Sequence, residues 1–71
     1  MKDGELQRRF EYHAPDARKA AKHQLLRGLF MDTASVIEEQ CPEGREKSLA
    51  ITKLEEALMW ANAAIARSDS A

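Results

Sequence analysis

The chain has 71 residues, of which 44% are hydrophobic, and its 11 basic and 12 acidic side chains give a formal net charge of −1. This balance excludes the global positive field that drives non-specific binding to long nucleic acids. A single cysteine, Cys41, excludes an internal disulfide, and together with only two histidines it makes a poor zinc site.

The first predicted element is a short helix over residues 4–11, with Leu6 and Phe10 four positions apart on one face. Pro15 disfavours a helical conformation at the residue before it and suits the first turn of a new helix, so a break is expected at residues 12–14. The second helix is predicted over residues 15–40. Asp16 is expected in its first turn, where a negative charge is favourable.

Apolar residues cover roughly 180° of the second helix, which is too much for one partner helix. They are Leu25, Leu26, Leu29, Phe30, Ala34, Val36, Ile37 and Cys41. Residues 41–44, Cys-Pro-Glu-Gly, then provide a helix stop and a turn, so the two long helices are predicted to form an antiparallel hairpin. Cys41 is interpreted as a small buried hydrophobic residue rather than a nucleophile.

The third helix is predicted over residues 45–67 and is apolar around roughly 200°. Spacings of three and four residues define a first seam, predicted to face the second helix: Ile51, Leu54, Leu58, Ala61 and Ile65. A second seam on the neighbouring arc is assigned to an intersubunit contact: Leu49, Ala57, Trp60 and Ala64. A small chain cannot bury both seams easily, so a symmetric homo-oligomer is expected, although both seams packing within a monomer stays an alternative.

The fold expected from these elements is all-α, a single helical domain over residues 1–71 that ends in a frayed tail at residues 68–71. No apolar run approaches the roughly 18 residues of a membrane span, and residues 1–9 lack the hydrophobic segment of a signal peptide. A soluble cytoplasmic protein with no membrane partner is therefore expected.

Catalytic patterns are absent from the sequence. His13 and His23 are separated by a predicted helix break and have no nearby carboxylate to orient them, and each is read as a satisfied surface or interface histidine. Glu55 and Glu56 are adjacent, so on a helix they point about 100° apart and cannot share a proton. We expect no catalytic residue, no metal and no cofactor.

A candidate binding surface lies where the first helix ends. Phe10, Tyr12 and His13 place flat side chains beside the N-terminus of the second helix, and flat side chains stack on bases. Basic side chains that could hold phosphate follow at helical spacings: Arg18, Lys19, Lys22 and Arg27. A solvated basic face is the competing interpretation. Arg67, with Lys53 nearby, adds positive charge beside the second seam.

Two stretches, Phe-Glu-Tyr-His-Ala-Pro at residues 10–15 and the whole of residues 45–67, resemble the phage anti-CBASS cyclic-nucleotide sponge family. The resemblance covers nearly the whole chain and is most specific in the second stretch. It implies a homohexameric helical-hairpin protein, in the cytoplasm of the infected bacterial host, that sequesters cyclic dinucleotides and cyclic trinucleotides without cleaving them. The resemblance further implies immune evasion, because a captured second messenger cannot reach its effector.

The resemblance also implies roles for particular residues. Tyr12, with His13 beside it, matches the tyrosine that stacks a base, Arg27 matches the phosphate-binding position of the second helix, and Arg67 matches a basic residue of a second type of pocket. The family position matched by Arg27 is associated with lysine, and Lys22 stays an alternative phosphate ligand. An arginine can hold phosphate in a bidentate fork, so the chemistry is retained.

The sequence leaves two other functions open. The same wide apolar arc would suit a helical-hairpin protein-interaction module with no nucleotide ligand. A phosphodiesterase is the weakest alternative, because metal-assisted hydrolysis uses clustered carboxylates and histidines that the sequence does not provide.

Overall fold

The structure, a computed structural model, describes residues 3–68, and these form three α-helices and no strand. Helix α1 spans Asp3–Phe10, α2 spans Ala17–Gln40 and α3 spans Arg45–Ala66. α2 and α3 pack side by side, whereas α1 makes no close backbone contact with either of them. The all-α prediction is confirmed.

The start of α2 differs from the expected boundary. Asp16 is not in the first helical turn: it is the N-cap, with extended backbone angles, and its carboxylate accepts a hydrogen bond of 2.8 Å from the Lys19 backbone N–H. An N-cap carboxylate satisfies one of the backbone N–H groups that the first turn leaves without a partner. Pro15 therefore lies in the connection before the helix, and the helix begins at Ala17.

Lys47 and Gly44 close the turn between α2 and α3. Gly44 adopts φ 157° and ψ 178°, a backbone conformation essentially restricted to glycine. Lys47 is buried, with 7% of the residue exposed, and its ammonium donates to the Glu43 carboxylate at 2.7 Å and to the Glu38 backbone carbonyl at 2.9 Å. The hydrogen bond to Glu43 raises the pKa of Lys47 above its ordinary value of 10.5, and Glu38 acts in the same direction against an opposing effect of burial.

The hairpin is closed by the seam that the spacing predicts. On α3, half-buried positions include Ile51, Leu54, Leu58, Ala61 and Ile65, and on α2 they include Leu26, Phe30, Ala34 and Ile37. A polar pair lies in the same seam, because His23 Nδ1 and Asn62 Oδ1 are 2.8 Å apart. These contacts pair the start of α2 with the end of α3, so the hairpin is antiparallel.

Not all of the apolar arc of α2 enters this seam. Leu25, Leu29 and Val36 are 63%, 54% and 57% exposed, and each directly precedes a seam residue. On α3, Ala57, Trp60 and Ala64 also directly precede seam residues and are exposed. In an antiparallel pair such residues of both helices fall on the same side, so they form one continuous surface. We call it the apolar face, and it comprises Leu25, Leu29, Val36, Ala57, Trp60 and Ala64. Leu49 is counted with them, because it is exposed and lies eleven residues before Trp60, on nearly the same arc of α3.

Cys41 contradicts its predicted burial. It is the C-cap residue of α2, where the chain leaves the helix, and its side chain is exposed. A residue at a helix end followed by proline is carried away from the seam, which explains the difference. Of the expected frayed tail, Ser68 is described, and residues 69–71 lie outside the described part of the chain.

None of the helices described here is both long enough and apolar enough to cross a membrane.

Candidate functional site

The N-terminal arm presents its aromatic side chains to solvent. Phe10 and Tyr12 are each 82% exposed. His13 Nε2 lies 2.6 Å from the backbone carbonyl oxygen of Arg8, so the imidazole N–H donates to the last turn of α1. This hydrogen bond satisfies a carbonyl that the helix end leaves open, and it fixes the course of the chain directly after Tyr12.

Tyr12 and His13 line a concave surface that encloses a volume of about 830 Å³. The remaining lining residues come from α1 and its end: Gly4, Glu5, Gln7, Arg8 and Glu11. An aromatic ring and the Arg8 side chain in the lining of one pocket would suit a base and a phosphate, since aromatic rings stack on bases and guanidinium groups bind phosphate.

Arg27 lies on a different surface, a groove of about 410 Å³ between α2 and α3. Most of its lining is apolar: Phe30, Met31, Ala34, Ile51, Leu54 and Leu58, with Glu55 as the second charged residue. The groove is on the side of the hairpin opposite the apolar face, because Met31 and Glu55 directly follow seam residues. Arg27 is exposed at this groove, and its guanidinium is accessible to an anion.

Arg67 contributes to a third concave surface, at the C-terminal end of α3, which encloses a volume of about 330 Å³. The Trp60 ring and the Arg8 side chain line the same surface, together with Ala63, Ala64 and Ser68. Arg8 was not predicted as a site residue. Its position at the end of α3 depends on the direction in which α1 leaves the hairpin, and no periodicity in the sequence specifies that direction.

The basic residues of early α2 divide into two roles. Lys19 Nζ donates to the Ser68 backbone carbonyl at 2.9 Å, so this ammonium ties the start of α2 to the end of α3. Lys22 is exposed and lies on none of the three surfaces described above. Within one chain, therefore, the predicted ligand-binding residues are distributed over separate surfaces.

His23 is accounted for structurally. Its ring donates from Nδ1 to the Asn62 side-chain oxygen across the hairpin, which agrees with the prediction of a satisfied interface histidine. Within residues 3–68, no three histidine, cysteine, aspartate or glutamate side chains come together as a metal site would require.

A family model described as "Acb2/Tad1, hairpin domain" matches residues 2–66 of the chain. The match includes both aromatic residues of the arm, all of α2 and all of α3. Comparisons with curated proteins and with solved structures gave no match.

Proposed function

We propose a function from one premise: the chain belongs to the Acb2/Tad1 hairpin family, the family of anti-CBASS cyclic-nucleotide sponges. The protein binds and sequesters the cyclic dinucleotide and cyclic trinucleotide messengers of bacterial CBASS defence. It acts in the cytoplasm of the infected host and keeps the messenger from its effector. The observation that carries this proposal is the family match itself, because it covers residues 2–66.

The chemistry of the arm and of α2 suits a cyclic dinucleotide. Such a ligand carries two flat bases and two phosphodiester charges, so it requires rings that stack and cations that pair with phosphate. In the proposed site Tyr12 stacks on a base and Arg27 holds a phosphate, with Lys22 as a further cation. His13 holds the chain directly after Tyr12 through its hydrogen bond to the Arg8 carbonyl.

Assembly completes the site in this proposal. Trp60 is 65% exposed and Leu49 is 45% exposed, so the apolar face gives a second copy a large surface to bury. We assign Leu49, Ala57, Trp60 and Ala64 to the intersubunit contact of a homohexamer. Symmetry would then repeat Tyr12 and Arg27 at each subunit boundary and supply two rings and two cations for one ligand.

The surface around Arg67 is proposed as a second type of pocket, for cyclic trinucleotides. Trp60 and Arg8 line it with Arg67, which supports binding of an anionic aromatic ligand. Repetition around a symmetry axis would bring several arginine side chains to one cyclic trinucleotide.

The protein acts in this proposal as a binder and not as an enzyme. A sponge requires only that the bound ligand be withdrawn from solution, so a messenger released by heating the complex should be recovered intact.

The exposed apolar face favours one other function, a hairpin module that captures a partner protein. That function assigns no role to Tyr12 or Arg27, and it predicts that nucleotides leave the melting temperature unchanged.

Calorimetric titration with a panel of cyclic dinucleotides and trinucleotides tests the proposal. Saturable binding of at least one member, with a rise in melting temperature at excess ligand, is expected. Absence of saturable binding across the panel would rule out the sponge.

A further inference from the structure

The groove that contains Arg27 has a second charged side chain, Glu55, to which the proposed function assigns no role. All other residues that line the groove are apolar, so a ligand there would meet these two charges and no others. Among residues 3–68, neither side chain forms an ion pair or a hydrogen bond. Both side chains are exposed, so both are accessible to a ligand.

The register of the hairpin places the two charges across the groove from each other. His23 lies level with Asn62, and Glu38 lies level with Lys47. Between these two contacts, Arg27 falls level with Leu58, and Glu55 is one helical turn from Leu58, toward the turn that joins the helices. Helix axes 8–10 Å apart and a rise of 1.5 Å per residue give a separation of about 10 Å between the two backbone positions. Two long side chains at this separation can contact opposite ends of one nucleotide.

Glu56, the next residue, differs from Glu55 in both respects. It points about 100° away around α3 and does not line the groove. Its carboxylate lies 3.7 Å from the Lys53 ammonium. Of the two adjacent glutamates, only Glu55 therefore combines a place in the groove with an unpaired charge among the described residues.

The chemistry of a carboxylate limits what Glu55 can bind. An ionised carboxylate only accepts hydrogen bonds, and it repels phosphate, so Glu55 suits a part of the ligand that carries donors. Guanine presents two adjacent donors on its Watson–Crick edge, N1–H and the N2 amino group, and these match the two oxygens of one carboxylate. Adenine presents one donor on that edge, its N6 amino group, beside the acceptor N1.

The other proposed contacts do not distinguish one base from another. Every base has a face on which Tyr12 can stack, and every nucleotide has a phosphate for Arg27. We propose that Glu55 reads the base and that the preferred messenger is a cyclic dinucleotide that carries guanine. Its phosphate lies at the Arg27 guanidinium, and its guanine N1–H and N2 amino groups donate to the Glu55 carboxylate. This inference rests on the proposed function, because it names the ligand preferred by the same site.

Calorimetric titration of the natural chain with three cyclic dinucleotides tests the preference. Cyclic di-GMP should bind more tightly than cyclic di-AMP by about tenfold or more, because adenine turns the acceptor N1 toward the carboxylate and offers a single donor. Cyclic di-IMP keeps N1–H and lacks the 2-amino group, so its affinity should lie between the other two.

Glu55→Gln tests whether this side chain is the cause. A side-chain amide can accept from the adenine N6 amino group and donate to adenine N1, so the variant should bind cyclic di-AMP more tightly than the natural chain does. The same variant should weaken cyclic di-GMP binding by about tenfold, since one of two charge-assisted hydrogen bonds is lost. Glu56→Gln is the matched control, and it should leave both affinities unchanged.

The outcomes separate this inference from the sponge function. Equal affinities for the three ligands, or a preference of the natural chain for cyclic di-AMP, would overturn the role of Glu55 and leave the sponge function standing. Equal weakening of all three ligands by Glu55→Gln would also overturn it, because that result indicates contact with a ribose hydroxyl. Absence of saturable binding by every cyclic nucleotide would exclude both proposals together.

Discussion

Tyr12 and Arg27 lie on two different concave surfaces of the same chain: Tyr12 at the end of α1 and Arg27 in the groove between α2 and α3. In the proposed function, a second copy of the chain brings both residues to one ligand, and ligand binding depends on assembly for this reason. Assembly does not depend on the ligand contacts, so a Tyr12 variant should lose binding while the oligomer persists.

Replacing Tyr12 by alanine should weaken binding of a cyclic dinucleotide by about 5- to 150-fold, since one base–aromatic stack contributes about 1–3 kcal/mol. Tyr12→Phe keeps the ring and is the matched control, so it should bind nearly as tightly as the natural chain. Arg27→Ala should likewise reduce binding, with the oligomer mass unchanged. Calorimetric Kd values check all three, and normal binding by both alanine variants would contradict the assigned site.

Trp60→Ala should reduce the oligomer mass at micromolar concentration. A central aromatic residue of an interface commonly contributes about 2 kcal/mol or more to association. Met59 is the neighbouring residue with the same 65% exposure, about 100° away around the helix, so Met59→Ala should keep the full mass. Light scattering during size-exclusion chromatography measures both variants. If the two masses are equal, the apolar face is not the intersubunit contact.

His13→Ala should weaken dinucleotide binding by only about 2- to 12-fold, the value of one hydrogen bond of about 0.5–1.5 kcal/mol. The reason is that the imidazole Nε2–H already donates to the Arg8 carbonyl oxygen at 2.6 Å. His13 therefore acts by holding the chain beside Tyr12. His13→Gln can donate to the same carbonyl and should restore part of the affinity. A loss as large as that of Tyr12→Ala, with no restoration by glutamine, would instead indicate direct contact with the ligand.

Lys47 should stabilise the hairpin at neutral pH and lose this effect in alkali. Its pKa is raised above 10.5 in the folded chain, first by the hydrogen bond to Glu43. A group whose pKa is higher when folded contributes its full stabilisation below the unfolded pKa and loses it as the pH rises through the folded pKa. Lys47→Met should therefore lower the melting temperature at pH near 7, and the difference from the natural chain should shrink above pH 10.5. A difference that is constant with pH would contradict this role.

Periodicity predicts faces well and partners poorly. The three-and-four spacing of Ile51, Leu54 and Leu58 correctly identifies the side of α3 that faces α2, because a helix rotates by a fixed angle per residue. The same counting grouped Leu25 with Leu26, yet Leu25 is 63% exposed, since one partner helix covers only part of a wide arc.

The site was harder to predict than the hairpin. The arm and its break were expected, but the direction of α1, and with it the position of Arg8 beside Trp60, depends on contacts beyond the local sequence. Asp16 was placed one step too far into the helix, because an acid in a first turn and an acid at an N-cap look alike in sequence. The partner of Lys47 at the turn and the partner of Asn62 across the hairpin were not predicted either.

Native mass spectrometry with and without a cyclic dinucleotide tests the central claim most directly, because it reports assembly and ligand together. The account predicts an oligomer, assigned as a hexamer, whose mass rises on addition of the dinucleotide by whole multiples of the intact ligand. Tyr12→Ala should give the same oligomer without the added mass. A monomer in both conditions, or an oligomer whose mass the ligand does not change, would contradict the account.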